Sequence, residues 1–264
     1  MLIAITRAVS PAINQCEIGF IERQEIDLAK AGEQHRHYEA LLAELGAKVV
    51  SLPAEPDYPD SVFVEDPAVV VDEVAIMTRM GAASRRGESE SLARALAPYR
   101  PLRWLREPAT LEGGDVMRIG RTLYVGVSHR TNRAGIEQLT GELRPLGYSV
   151  APVTVRGALH LKTACCYLGD GAILANRAWL DMEPLAQFRI VDVAPGEERA
   201  ANVLAVGGSV IVPASFPGTA EILAGEGLRV RMLDVSEFMK AEAGVTCSSL
   251  IFEEPVTQIT GSEC

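Results

Sequence analysis

The chain has 264 residues, 48% of them apolar and 23% charged, so it can bury a large core, and general disorder is excluded. Its formal net charge of −10 argues against a nucleic acid or an anionic membrane surface as a partner. No apolar run approaches the roughly 18 residues of a membrane span, and the N-terminus lacks the apolar stretch of a signal peptide. We therefore expect a cytoplasmic protein. Because no linker or change of composition marks a boundary, we also expect a single domain over residues 1–264.

The cysteines are odd in number, have no regular spacing and form no C-x-x-C pair. This pattern argues against a disulfide framework and against a structural zinc site. Free thiols in a reducing cytosol are the simplest interpretation, which leaves open whether one of them is a nucleophile. The five are Cys16, Cys165, Cys166, Cys247 and Cys264.

Along the chain, an apolar run is repeatedly followed by a glycine- or aspartate-rich turn and a second apolar run, the pattern of a β-hairpin. A fifth unit, residues 244–252, has one strand only, and the N-terminal strand at residues 2–6 is its expected partner. The four complete hairpins span residues 61–81, 110–128, 157–176 and 200–215, with turns at 72–73, 120–121, 169–171 and 207–208.

Helical patterns lie between the hairpins. Apolar residues at i, i+3, i+4 and i+7 over residues 38–45 predict a helix, and Gly46 is its expected C-cap. Further helices are predicted from Glu88, after Thr131 and from Pro217.

One polar residue occupies an equivalent place in each unit, at intervals of 42 to 48 residues. A period in this range indicates a repeat architecture. Five units whose ends join by strand pairing would close into a pseudo-fivefold α/β propeller of ββαβ-type repeats, and the equivalent residues would converge on its axis. These residues are Glu65, Glu112, His160, Asn202 and Cys247.

Cys247 and His160 are the candidates for covalent chemistry. A cysteine beside β-branched residues is either a small buried hydrophobe or, with an acid or base partner and help in ionising, a nucleophile. Among the four histidines His160 is the best partner, because it alternates with polar residues on a predicted strand face. A core histidine with a satisfied ring remains the alternative.

Glu65, Asp66 and Glu112, with Asp115 nearby, are acidic residues within apolar patterns. Converging carboxylates repel one another unless a cation lies between them. A metal ion is one candidate and a guanidinium group, which suits bidentate carboxylate contacts, is the other. A neighbouring cysteine favours the organic cation, and an ordinary salt bridge with a surface-facing carboxylate is the alternative.

Arg85 and Arg130 follow the first two hairpins, where loops leave the strands. Arginines there either bind a substrate carboxylate or are solvated charges on a loop. The adjacent pair Cys165 and Cys166 is interpreted as packing within an apolar strand, and the sequence gives no specific argument for Lys162.

Six motifs occur in order along the chain: DSVFVED (60–66), GAASRRGE (81–88), LEGGD (111–115), SHRTN (128–132), LHLKT (159–163) and GVTCSSL (244–250). Together they closely resemble the dimethylarginine dimethylaminohydrolase family of the guanidino-group modifying superfamily, and the resemblance covers residues 1 to about 253. The resemblance implies the same fivefold propeller. It also implies hydrolysis of Nω,Nω-dimethyl-L-arginine or Nω-methyl-L-arginine to L-citrulline and dimethylamine or methylamine, with no metal and no organic cofactor. The tail after about residue 253 falls outside it.

Carried over by position, Cys247 resembles the family's nucleophile, which forms a covalent thiouronium intermediate, and His160 resembles the acid that protonates the leaving amine and then activates water. Asp66 and Glu112 resemble the carboxylates that hold the guanidinium group. Asp60 and Glu65 line the same site.

The resemblance also implies how the rest of the substrate is held. Arg85 and Arg130 correspond to the clamp on its α-carboxylate. The backbone carbonyls that hold its α-amino group, one of them on a mobile loop, correspond to Ile18 and Ala241.

Two other functions remain open. The same chemistry could act on arginine or another guanidino or ureido compound, although the related arginine deiminases are longer and carry an inserted helical domain. A noncatalytic binder of cationic amino acids is also possible, but a binder has no use for a nucleophile. The partner is in each case a small molecule, and the sequence does not distinguish a monomer from a homodimer.

Overall fold

The computed structural model describes residues 1–254, so the predicted tail beyond residue 253 lies, except for Glu254, outside the described residues. The strands are β1 (Leu2–Arg7), β2 (Lys48–Leu52), β3 (Ala68–Val70), β4 (Ala75–Met77), β5 (Leu102–Trp104), β6 (Val116–Ile119), β7 (Thr122–Val127), β8 (Ser149–Thr154), β9 (Cys165–Gly169), β10 (Ala172–Ala175), β11 (Arg189–Asp192), β12 (Leu204–Val206), β13 (Ser209–Pro213), β14 (Val230–Leu233) and β15 (Leu250–Glu253). The helices are α1 (Leu28–Glu44), α2 (Ser89–Leu96), α3 (Arg133–Leu143), α4 (Leu161–Ala164), α5 (Pro217–Gly225) and α6 (Ser236–Met239).

These strands form five three-stranded sheets, in the orders β15-β1-β2, β3-β4-β5, β6-β7-β8, β9-β10-β11 and β12-β13-β14. In each sheet the middle strand runs antiparallel to the first and parallel to the third. The two ends of the chain meet in one sheet, where Leu2 pairs with Glu253 and Ile5 with Leu250. The pseudo-fivefold α/β propeller and the joining of its ends are thus confirmed.

The predicted hairpin turns are confirmed as well. The turn between β9 and β10 has three successive residues with positive φ, Gly169 at 100°, Asp170 at 48° and Gly171 at 71°. Such angles suit glycine, which has no Cβ to clash, and aspartate is among the few other residues that adopt them readily. The sequence Gly-Asp-Gly therefore favours this tight turn between β9 and β10.

The predicted helices are present, but one unit lacks its helix. Helix α1 covers most of residues 38–45, and Gly46 follows with a φ of 93°, while α2, α3 and α5 begin where the sequence indicates. Between β10 and β11 the chain instead makes two short 3₁₀ turns, at residues 177–179 and 183–185. Leu180 and Leu185 are buried there and pack on the sheet in place of a helix.

The middle strands β10 and β13 are buried throughout. Cys165 and Cys166 are buried in β9, which confirms their interpretation as packing, and the four described cysteines are all free. Among the described residues no helix is long and apolar enough to span a membrane.

The polar residue of each unit lies just before the first strand of a sheet, not within a strand. Placing His160 on a strand face was wrong, because Leu161–Ala164 form helix α4 and His160 is its N-cap. The backbone N–H of Leu161 donates to the Asp115 carboxylate (2.9 Å), and that of Thr163 donates to the His160 carbonyl (3.2 Å). These bonds replace a strand ladder, which begins only at Cys165.

Candidate active site

Glu112 and His160 form a buried pair between two neighbouring units. Glu112 Oε2 lies 2.7 Å from His160 Nε2, while Oε1 accepts the N–H of Gly81 (3.0 Å) and lies 3.2 Å from Arg130 Nη1. Burial works against the ionised carboxylate, but the hydrogen bond and charge of His160, with nearby arginines, hold the pKa of Glu112 well below its usual value. The site therefore contains a fixed carboxylate charge.

His160 carries a proton in these surroundings. Burial lowers its pKa, but the charges of Asp66, Glu112 and Asp115 outweigh burial and raise the pKa to about 9. Gly114 allows this approach, because a Cβ there would lie 2.6 Å from His160 Nδ1 and 2.8 Å from Asp66 Oδ1. An imidazolium is thus available as a proton donor beside the carboxylates.

Asp66 and Arg85 are joined by a buried ion pair. Asp66 Oδ2 lies 2.8 Å from Arg85 Nη1, and Oδ1 accepts the N–H of Gly114 (3.0 Å). Arg85 is 4% exposed, which rules out the interpretation as a solvated charge, whereas its neighbour Arg86 is exposed. Its proposed contact with a substrate carboxylate stays a prediction.

Glu88 holds the other edge of Arg85, and sequence reasoning missed it. Its two carboxylate oxygens accept hydrogen bonds from Arg85 Nε (3.0 Å) and Nη2 (2.9 Å). Burial raises the pKa of Glu88 to about 7 despite the charge of Arg85. The i,i+3 spacing of the two residues at a helix start is the signal that points to this pair.

Glu65 connects three units beside the cysteine. Its Oε1 lies 2.5 Å from Lys162 Nζ, its Oε2 accepts the hydroxyl of Thr246 (2.8 Å), and its N–H donates to the Cys247 carbonyl (3.2 Å). Asn202 exchanges two hydrogen bonds with Thr246, both 3.1 Å. The predicted convergence of polar residues is real, and Lys162 and Thr246 belong to it although no pattern singled them out.

Cys247 is half-buried, and its Sγ accepts a hydrogen bond from the Gly244 N–H at 3.5 Å. Burial and the charges of Glu65 and Asp66 raise the pKa of the thiol to about 12, against the opposing effect of Lys162. The thiol is therefore protonated in the free protein. A bound cation would offset these carboxylates and favour the thiolate.

The loop that contains Ile18, residues 16–23, we call the flap. Its Glu17 N–H donates to both carboxylate oxygens of Asp60 (3.2 and 3.3 Å), and the Phe20 ring lies 5.9 Å from the His129 ring. Asp60 is buried, which raises its pKa. The flap thus contacts the site residue Asp60 and the neighbour of Arg130.

Ala241 lies near the flap through a shared apolar cluster. It is buried in that cluster, and Ile18 and Cys247 are among the partly buried residues packed against the cluster. The three residues therefore border the same apolar cluster.

Among the described residues, Asp66, Glu112 and His160 bring ligand atoms within 4.8 Å of one another, a spacing that a metal ion could use. A metal ion there would have to displace the hydrogen bond between His160 and Glu112, and both carboxylates already pair with arginines. The remaining oxygen lone pairs suit a planar cation with several N–H donors.

Comparison with known proteins identifies the family. A model of the eukaryotic N,N-dimethylarginine dimethylhydrolase family matches residues 5–181. The dimethylarginine dimethylaminohydrolase of Streptomyces coelicolor is 40% identical over 253 residues, covering 95% of this chain and 97% of its own length. The enzyme of that name from Pseudomonas aeruginosa is 39% identical over 228 residues, covering 86% of this chain and 90% of its own.

Solved structures agree. The Pseudomonas aeruginosa protein, as a cysteine-to-serine mutant complexed with citrulline, superposes with a TM-score of 0.90 at 36% identity, covering 94% of this chain and 98% of that one. The N-terminal domain of a cyanobacterial arginine dihydrolase has a TM-score of 0.82 at 21% identity over 97% of this chain and 99% of that one, which shows a shared fold alone. This chain belongs to the dimethylarginine dimethylaminohydrolase family.

Proposed function

We propose that this chain hydrolyses Nω,Nω-dimethyl-L-arginine and Nω-methyl-L-arginine to L-citrulline and the corresponding alkylamine, through a thiouronium intermediate on Cys247. The observation that carries this proposal is His160 Nε2 held 2.7 Å from Glu112 Oε2, in the same site as the Cys247 thiol. The raised pKa of His160 supports its role as the proton donor. An amine leaves a tetrahedral carbon only when it is protonated, and this pair supplies the acid.

In the first half-reaction, the guanidinium group binds between Asp66 and Glu112. Its positive charge favours loss of the Cys247 proton to solvent. The sulfur then bonds to the guanidinium carbon, His160 gives its proton to the alkylated nitrogen, and the carbon–nitrogen bond breaks. The products are the free amine, a neutral His160 and a thiouronium cation on the cysteine.

In the second half-reaction, the neutral His160 removes a proton from water as the oxygen attacks the same carbon. The carbon–sulfur bond breaks, the thiolate leaves and takes up a proton, and the product loses a proton to become citrulline. His160 is again an imidazolium, so the site returns to its starting state. The carboxylates act by holding the reacting carbon near the sulfur.

We propose that the amino-acid end of the substrate binds under the flap. Among the described residues the Arg130 side chain donates to Glu112 through Nη1 alone and keeps further N–H groups for the α-carboxylate. Arg85 is the second proposed clamp residue, although each of its three guanidinium nitrogens already donates to a carboxylate. The carbonyls of Ile18 and Ala241 would accept from the α-ammonium group. Their shared apolar cluster with Cys247 supports this assignment.

Citrulline release from purified protein tests the proposal, with dimethylarginine, monomethylarginine and arginine compared side by side and Cys247→Ser as the blank. We expect release from the methylated substrates and none from the variant, because serine lacks the thiolate nucleophile. Equal turnover by variant and wild type would contradict the covalent step. Turnover of arginine alone would favour the deiminase-like alternative. If none of the three compounds yields citrulline, the noncatalytic binder is favoured.

We also infer that the chain is one catalytic domain, because β1 and β15 pair and so join the first and last units in a single sheet. The free cysteines fit the cytoplasmic location predicted from the sequence. Light scattering coupled to size-exclusion chromatography distinguishes the two expected assemblies, monomer and homodimer.

A further inference from the structure

Glu242 binds the flap through two consecutive backbone N–H groups. Its Oε2 accepts the N–H of Gly19 at 2.8 Å, and its Oε1 accepts that of Phe20. No other side chain in the described part of the chain accepts hydrogen bonds from two successive flap N–H groups. A charged acceptor makes such hydrogen bonds stronger than a neutral one does.

The backbone at Glu242 is unusual for a glutamate. Its φ is 58°, in the left-handed region, and it follows the end of helix α6. The N–H groups of Ala241 and Ala243 both donate to the Phe238 carbonyl (2.9 and 3.1 Å), which is the kind of helix ending that normally places glycine in the left-handed position. The left-handed backbone conformation disfavours a residue with a Cβ at this position. We therefore expect the Glu242 side chain to make a contact that compensates for this strain.

The carboxylate lies where the flap is otherwise weakly held. At the other end of the flap, Glu17 bonds to Asp60 and accepts from the Ser84 hydroxyl. Between these two anchors lies Ile18, which is half-buried, while Gly19 is exposed. Arg23 closes the base of the flap by donating to the Asn14 and Cys16 carbonyls (both 2.7 Å), and Arg199 Nη2 lies 3.4 Å from the Phe20 carbonyl.

We propose that Glu242 is a positioning residue that holds the flap closed and so fixes the Ile18 carbonyl for the α-ammonium group of the substrate. The carboxylate binds the two residues that follow Ile18, and Ala241, the other proposed carbonyl, directly precedes Glu242. Glu242 thereby fixes the positions of both carbonyl acceptors, those of Ile18 and Ala241, and places a negative charge beside them. The substrate part of this proposal rests on the proposed function, whereas the contact between Glu242 and the flap does not.

Three variants separate the effect of the carboxylate from that of size and charge. Glu242→Gln keeps the size but turns an N–H₂ group toward one flap N–H, so one hydrogen bond is lost. Glu242→Asp keeps both acceptor oxygens on a shorter side chain. Glu22→Gln is the control, because it removes the same charge from an exposed position at the flap.

Hydrogen exchange of the flap peptide and steady-state kinetics are measured on each variant. We expect faster exchange at residues 17–21 in Glu242→Gln, and a KM raised about tenfold with kcat nearly unchanged, as for loss of one charged hydrogen bond. Glu242→Asp should recover part of both effects. Exchange equal to wild type, exchange accelerated equally in the control, or an unchanged KM would overturn the proposal. If wild type releases no citrulline, the proposed function fails, and the exchange comparison still decides whether Glu242 holds the flap.

Discussion

Asp66 favours the protonated forms of both His160 and Cys247. Asp66 and its neighbours raise the pKa of the imidazolium to about 9, and burial with Glu65 and Asp66 raises the pKa of the thiol to about 12. A guanidinium bound among these carboxylates would reverse both effects, because a positive charge favours the thiolate and disfavours the imidazolium. The substrate itself therefore prepares the nucleophile and the acid, and the free thiol is protected from oxidation.

The raised pKa of His160 makes stability depend on pH. A histidine protonated more readily in the folded protein stabilises it fully below the unfolded value of about 6.5 and loses that contribution as pH rises through about 9. We expect the free energy of unfolding of wild type to fall across this window by up to about 3 kcal/mol relative to His160→Gln. Urea unfolding at several pH values measures it. His37→Gln, at an exposed position, is the control, and parallel pH curves for wild type and His160→Gln would contradict the assignment.

A short helical segment at residues 83–88 continues into α2. It places Glu88 one turn after Arg85, where the Glu88 carboxylate orients the Arg85 side chain. We expect Glu88→Gln to raise KM about tenfold with a smaller change in kcat. The variant loses one of the two hydrogen bonds by which Glu88 fixes the Arg85 guanidinium group, so the position of that group is less well defined. Steady-state kinetics and thermal unfolding measure the two effects. Glu90→Gln, exposed on α2, is the control, and equal KM values in both variants would show that Glu88 does not position Arg85.

At the scale of elements, the sequence predicts the hairpins, four of the helices and the approach of the five polar residues, because turn chemistry and period are local signals. It does not predict that His160 caps a helix, because that turn depends on the hydrogen bond from Leu161 to Asp115, 46 residues away. Glu242 was missed for a similar reason, because a charged residue at a helix end looks solvated until its distant partner, here Gly19, is known. Glu88 was missed although its partner Arg85 is only three residues away.

At the scale of the whole molecule, the first strands of the five sheets surround a cavity of about 780 Å³. Glu65, Lys162 and Thr246 line it and also bond to each other beside Cys247. The ion pair of Glu65 and Lys162 therefore lies between the cavity and the thiol, at a place where three units meet.

Removing Lys162 alone should destabilise the protein more than removing both charges. Lys162→Met leaves the buried Glu65 without its cation, an imbalance that costs about 3–5 kcal/mol, whereas the double variant Glu65→Gln with Lys162→Met buries no charge. We expect urea unfolding to show the double variant as more stable than Lys162→Met, with Glu65→Gln alone as the fourth corner of the cycle. Additive effects at the two positions would mean that solvent in the cavity already screens the pair. The coupling would then be absent, and the pair would act only by holding Thr246 and the cysteine loop in place.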